Sequence, residues 1–190
     1  MKFLLLTAAL LAAPPAMILA APPAMAADWT LQPAASTLGF SGTQTGAKFT
    51  GTFTQWNAAI TYDPAHPEAA HVHITIQTAS AHTGDTQRDT ALPGTDWFSA
   101  AAFPQAVFDA TGFTPAGGDK FTTSGTLTIR GVSKKLMLPF TLDVSGKTAT
   151  AKGNITLTRT DYGVGQGNWS SGDWVGLDVG VSFTLVAQSQ

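Results

Sequence analysis

The sequence predicts an all-β protein: one antiparallel β-barrel of about eight strands with a short helical plug at one mouth. Three features point there. Apolar and polar residues alternate with period two from Trp29 onward. Glycine is abundant, at 19 of 190 residues, while charged residues make up only 12%, a composition for strands and turns rather than helical bundles. Between Ser80 and Phe108 the alternation stops, and Leu92, Trp97, Phe98 and Phe103 gather around Asp85, Arg88, Asp89 and Asp96. A bulky apolar segment with charges to fix it is what a barrel needs to keep its interior dry.

The first 26 residues stand apart from this pattern. Lys2, the apolar run 3–13 and the exit Ala24-Met25-Ala26 read as a secretory signal peptide cleaved before Ala27. Four prolines break the run, which is too short to span a bilayer. The mature domain is then 27–190, a single domain and long enough to bury a sizeable core. The expected location is the periplasm. Without Lys2, nine Lys and Arg stand against twelve Asp and Glu, a formal charge of −3. That balance gives no footprint for nucleic acid or an anionic membrane. The absence of cysteine removes disulfides, thiol catalysis, cysteine-ligated metals and a lipoprotein anchor.

In chain order, Leu38 and Phe40 share a strand face, as do Phe49, Gly51 and Phe53. Ala58, Ile60 and Tyr62 follow after a change of phase near Gln55-Trp56, which reads as a bend or bulge. Asp63-Pro64 ends that strand. Val72, Ile74 and Ile76 then oppose His71, His73 and Thr75. After the plug, Thr123, Gly125, Leu127 and Ile129 lead to a tight turn at Arg130-Gly131, and Leu136, Leu138, Phe140, Leu142 and Val144 continue. Ala149, Ala151, Gly153, Ile155 and Leu157 form the next face, and the last strand, 175–187, carries Val175, Leu177, Val179, Val181, Phe183 and Leu185. A sandwich and a barrel both bury one face per strand; the strand length and the lone plug favour the barrel.

The small inward residues Ala149, Ala151 and Gly153, with Thr123 and Gly125 on another strand, leave either a void or a space filled by phenylalanines from across the bore. Size does not decide, because an eight-stranded barrel can hold one small ligand or only its own side chains.

Several of these residues fall in a recognisable order: Gly51-Thr52-Phe53, Tyr62-Asp63-Pro64, Thr83-Gly84, Arg88-Asp89, Asp96-Trp97-Phe98, Phe103-Pro104, the run Gly125 to Lys134, and Arg159 to Val164. In that order and spacing the chain resembles the YceI-like polyisoprenoid-binding family of exported bacterial proteins, over essentially the whole mature length. The resemblance implies a lipocalin-like barrel enclosing an isoprenoid lipid or quinone; no cofactor is expected, and exchange of such a ligand leaves transient membrane contact open. It departs from the family pattern at Gln32, Ala35 and Gln44, where relatives often carry Asp or His.

On this reading Phe40, Phe49, Phe53, Ile74 and Ile76 are expected to line the ligand site from the first strands, and Trp97 and Phe98 from the plug. Leu127, Ile129, Leu138 and Phe140 follow, then Ala149, Ala151 and Gly153, then Val179, Val181 and Phe183. Arg88 and Asp89 are head-group candidates or a lid-fixing pair, with Asp85 and Asp96 as helix caps. Arg159, of the same parity as Ile155 and Leu157, should point inward and seek Asp161 or Asp89, with contact to a ligand's phosphate head group as the lesser reading. His71 and His73 form an H-x-H pair opposite the core face, where exposed histidines are expected rather than metal ligands. Ser, His and Asp occur without a nucleophile motif, so the expected protein is not an enzyme. Trp169 and Trp174 are expected to fold a loop back on the barrel. The alternative to a lipid-binding barrel is an extracytoplasmic interaction module with a solid core serving a membrane redox partner. The sequence leaves a homodimer open.

Overall fold

The computed structural model describes residues 27–190. The expected signal peptide, 1–26, lies outside the described residues. The chain runs β1 (Ala27–Leu31), β2 (Thr37–Gln44), β3 (Ala47–Phe53), β4 (Trp56–Tyr62), β5 (His71–Gln77), β6 (Ala81–His82), α1 (Thr86–Ala91), β7 (Gln105–Pro115), β8 (Lys120–Ile129), β9 (Val132–Ser145), β10 (Thr148–Thr158) and β11 (Asp178–Ser189). All pairings are antiparallel.

Eleven strand segments make an eight-stranded barrel because six of them join end to end. β1 and β2 are one strand bent at the turn Pro33–Ala35; β3 and β4 are one strand bent at Thr54-Gln55; β5 and β6 bend at Thr78–Ser80. The partners bend together, since β1 pairs with β4 while β2 pairs with β3, and β4 pairs with β5 while β3 pairs with β6. A serine repairs the ladder at two of these corners. Ser36 Oγ accepts from Val186 N at 2.9 Å and donates to Gln32 O at 2.8 Å. Ser80 Oγ accepts from Gln55 N at 3.1 Å and donates to Gln77 O at 2.8 Å. Each closes a gap that would leave main-chain groups unpaired. The barrel shuts where β11, paired with β10 along its length, also pairs with β2 and then β1. The expected change of phase near Gln55-Trp56 is the second of these bends.

The turns follow their sequences. Thr45-Gly46 and Arg130-Gly131 each place two residues at positive φ between paired strands, the twist-matched two-residue hairpin. The last strand starts later than expected. Val175 and Leu177 precede β11, and Val175 is held by a lone bridge to Gln44. The plug is one six-residue helix, α1, followed by turns through residue 104.

The lower end, at the β4–β5 and β9–β10 connections, has an aromatic floor. Trp29 Nε1 donates to Tyr62 O at 2.9 Å, Tyr62 lies 5.5 Å from Phe113, and Phe113 packs edge-on against Phe140 at 4.9 Å. Burial, aided by the neighbouring Asp63, pushes the Tyr62 phenol above its usual range. The upper end is covered by α1, the turns after it and the loop 163–177.

Candidate functional site

Two cavities lie along the barrel axis. The upper, about 200 Å³, sits beneath the lid; the lower, about 70 Å³, sits above the aromatic floor. They share no lining residue. The barrel is neither solid nor hollow throughout.

Phe40, Phe49 and Phe53 line the upper cavity, with Trp97 and Phe98 from the lid. Ile129, Val179 and Val181 complete its expected wall. Ile74, Leu138, Phe140, Ala149, Ala151 and Phe183 line the lower cavity. Ile76, Leu127 and Gly153 line neither. Leu127 belongs to the packed layer with Phe108 and Tyr162.

The small inward residues divide into two kinds. Ala149 and Ala151 face open space. The glycines do not. A Cβ on Gly153 would lie 2.6 Å from the ring of Phe183, its cross-strand partner, and one on Gly125 would strike Phe108. Phe40 covers Gly51 and Phe49 covers Gly42 in the same way. Each ring is seated on the bare backbone of the next strand, as aromatic side chains do over sheet glycines. Of the two alternatives, a void or filling by phenylalanines, filling holds at Gly153 and Gly125, and the rings come from the neighbouring strand.

Arg159 is the most informative side chain of the upper cavity. It is 5% exposed and, among the described residues, forms no ion pair with a carboxylate. The expected partners are thus corrected: Asp161 pairs with Lys134 at 3.2 Å, and Asp89 with His82 at 2.7 Å. Arg159 instead donates to main-chain carbonyls of Gly176 (2.9 Å), Val164 (3.0 Å), Gly165 (3.4 Å), Trp169 (2.6 Å), Ser171 (3.1 Å) and Val175 (2.7 Å). Its guanidinium carbon lies 5.4 Å from the Trp97 ring centre. All five N–H groups are used, so the side chain moulds the loop 163–177 and has none left for a ligand. Burial without an opposing carboxylate lowers its pKa from the ordinary arginine value.

Arg88 and Asp89 are neighbours in sequence but do not pair with each other. Arg88 Nη1 donates to Gln44 Oε1 at 3.0 Å and its Nε to Thr83 Oγ1 at 3.3 Å; Asp85 Oδ2 lies 3.7 Å from Nη2, and the guanidinium covers the Phe49 ring at 4.8 Å. Among the described residues, Arg88 therefore keeps N–H groups unengaged at the cavity rim. Asp89 turns away from the cavity and anchors the lid. Its Oδ1 accepts from Thr83 N and Thr83 Oγ1, both at 2.7 Å. The Thr83 hydroxyl, chiefly, holds this carboxyl below the usual range against partial burial, with the Thr83 N–H and His82 adding to it. Asp85 caps α1, accepting from Arg88 N at 3.0 Å. Asp96 acts through its main-chain carbonyl, which accepts from Gly165 N and Gln166 N and ties the lid to the loop.

His71 and His73 lie on the outer surface and share Asp109 Oδ2, at 3.3 and 2.9 Å. The hydrogen bond from His73 is the largest of the influences that lower the Asp109 pKa. Among the described residues no group of three His, Cys, Asp or Glu is placed to hold a metal. Trp174 is 60% exposed, whereas Trp169 packs against Trp97, tilted by 45° with ring centres 5.6 Å apart, and lines the upper cavity. Trp169, Tyr162, Val164, Leu92 and Gln44 were absent from the expected wall. Most sit in the lid or loop, where backbone without a period hides which way a side chain points.

Two charged residues line the upper cavity, Arg88 and Arg159, and no Asp or Glu does; the lower cavity has no charged residue at all. The arrangement is two apolar cavities in series along the axis, the lower floored by aromatics and the upper positive near its mouth.

A family model described as the YceI-like domain matches residues 29–187. The chain is 31% identical over 140 residues to a UPF0312 protein of Pseudomonas savastanoi pv. phaseolicola, covering 70% of this chain and 71% of that one. Among solved structures, Burkholderia cenocepacia BcnA superposes with a TM-score of 0.80 at 32% identity, over 83% of this chain and 99% of BcnA. A polyisoprenoid binding domain from Saccharophagus degradans, at 18% identity, shares the fold with a TM-score of 0.67, over 87% of this chain and 99% of that domain. The chain belongs to the YceI-like family.

Proposed function

We propose that this protein is a non-enzymatic, exported carrier that encloses the tail of an isoprenoid amphiphile, a polyprenyl lipid or a quinone, in its barrel. The observation that carries the reading is the pair of apolar cavities along the barrel axis, with cationic side chains only at the upper end. The polyisoprenoid-binding domain with the same fold supports the ligand class, and the leader-like residues 1–26 support export to the periplasm.

A prenyl chain offers no hydrogen bonds, so its recognition rests on length and dryness. Burial is worth about 0.8 kcal/mol per methylene, and most of that gain is matched by the membrane the chain leaves. The net preference is therefore small, which suits exchange with a bilayer. The head lies at the Arg88 end and the tail points at the floor.

Native mass spectrometry of the purified protein, followed by organic extraction, tests this. Co-purified or exchangeable quinone or polyprenol is expected. Repeated recovery of empty protein that takes up neither would overturn it.

A further inference from the structure

We infer that the barrel has a side door, a seam between the upper parts of β9 and β10 through which the isoprenoid tail enters and leaves; the inference rests on the carrier reading above. The two strands form a hairpin that is laced only in its lower half. Pairing among the described residues runs from Ser145 and Thr148 up to Phe140 and Gly153 and stops there. Above that level β9 continues to Val132 paired with β8 alone, and β10 continues to Thr158 paired with β11 alone. Pro139 stands where the lacing ends. Leu142 N donates to Asp119 O, on the β8 side, at 2.8 Å. Main-chain N–H groups alternate sides along a strand, so those of the odd-numbered residues of β9 aim at β10. Above Thr141 the next such donor falls at residue 139, and proline has none. A proline in a sheet belongs at an edge, and here it makes one in the barrel wall.

Side chains, not a ladder, close the gap. Leu136 and Leu138 from β9 and Leu157 from β10 pack against the cluster that holds Leu127 and Tyr162. Leu138 lines the lower cavity and Leu157 the upper, so the seam borders both. Ile155 pairs with Val181 on the inward face, yet it lines neither cavity and packs on neither core cluster. Its partly exposed side chain therefore meets solvent through the gap. On the outside, Met137 is 64% exposed and gives the rim an apolar edge. Among the described residues one ion pair crosses the top of the seam, Lys134 with Asp161 at 3.2 Å, both partly exposed. The lid is a harder way out. Asp96 O accepts from Gly165 N and Gln166 N at 2.8 and 2.7 Å, and Arg130 Nη1 donates to Thr95 O and Trp97 O. Raising the lid breaks these bonds, whereas parting the seam breaks a surface ion pair worth little in water and turns leucines about their torsions.

The test is the rate at which a prenylated benzoquinone exchanges between phosphatidylcholine vesicles and the protein, read by quenching of Trp97 and Trp169. Pro139→Thr restores the missing donor and should slow uptake and release together, on the order of tenfold, with Kd within about twofold of wild type. Lys134→Ala should hasten both by about twofold. Met137 and Thr156 would face each other if the lower register continued upward, and the chain has no cysteine of its own. A Met137→Cys, Thr156→Cys protein bridged by oxidation, or by a short thiol-reactive linker, should exchange on the order of tenfold more slowly than the same protein unbridged. The bridged pair also serves if Pro139→Thr does not fold. Wild-type rates in either protein overturn the door, as does a Pro139→Thr protein that binds more weakly without releasing more slowly. Failure of the wild type to take up the quinone at all overturns the carrier reading itself.

Discussion

Replacing Arg159 by methionine removes a cation of similar length and keeps an apolar stem. Six carbonyl contacts disappear, and those to Val164, Gly165 and Val175 are fully buried. A buried acceptor left without a donor costs about 1–3 kcal/mol. Three such groups set a gross loss of about 3–9 kcal/mol, reduced because the guanidinium no longer has to be desolvated and because loop movement lets water reach some carbonyls. The expected net loss is about 3–5 kcal/mol, or about 6–20 °C in Tm for a domain of this size. Urea melts and differential scanning calorimetry would measure it, and limited proteolysis should show early cleavage within 163–177. Arg159→Lys should recover part of the loss, because an ammonium can serve at most three of the carbonyls. An Arg159→Met protein within about 1 kcal/mol of wild type, with its loop equally resistant, would refute the assignment of Arg159 as the post on which that loop is built.

Asp85→Ala removes the cap of α1 and should cost about 1 kcal/mol, read as a Tm lowered by about 2–4 °C. Asp89→Asn should loosen the lid at neutral pH and expose it to protease. Because the Asp89 pKa is depressed in the folded protein, the carboxylate contributes above its unfolded value of about 3.8 and the contribution is lost as pH falls through the lower folded value. The Tm difference between Asp89→Asn and wild type should therefore shrink as the pH drops below about 4. Asp109→Asn should show the same convergence, for its carboxyl is lowered chiefly by His73. Trp97 and Trp169 flank the upper cavity, so quinone uptake should quench tryptophan fluorescence, with the effect reduced in a Trp97→Phe, Trp169→Phe double variant.

What could be read in the sequence is what period two governs. The parity of Leu136 to Val144 and of Ala149 to Leu157 predicts their inward face because a strand has only two sides. Arg130-Gly131 predicts its hairpin because two positive φ angles favour such residues. Two kinds of information were hidden. The partners of Arg159 are main-chain oxygens, which every residue possesses and no sequence singles out; a search for an acidic side chain was bound to look in the wrong place. The filling of Gly153 by Phe183 depends on register, on which residue of one strand stands beside which of the next. Parity says that both face inward but not that they touch. The tryptophan of Gly167-Asn168-Trp169 was the one signal for the loop's share of the cavity wall, and it did not reveal that Trp169 and Trp174 would part company.

The seam between β1 and β11 joins the first described strand to the last, pairing Trp29 with Ser189 and bringing Gln190 N to within 3.2 Å of Asp28 O. The ribosome makes these two partners more than 150 residues apart. Until β11 emerges, the growing sheet carries two raw margins, each able to recruit a stranger's strand. Loss of the end of β11, Ala187–Ser189, should therefore do more harm through clumping of newly made chains than its small share of the buried surface suggests. Splicing the adjacent ends and opening the chain at the Gly117-Gly118 turn would let the seam form early.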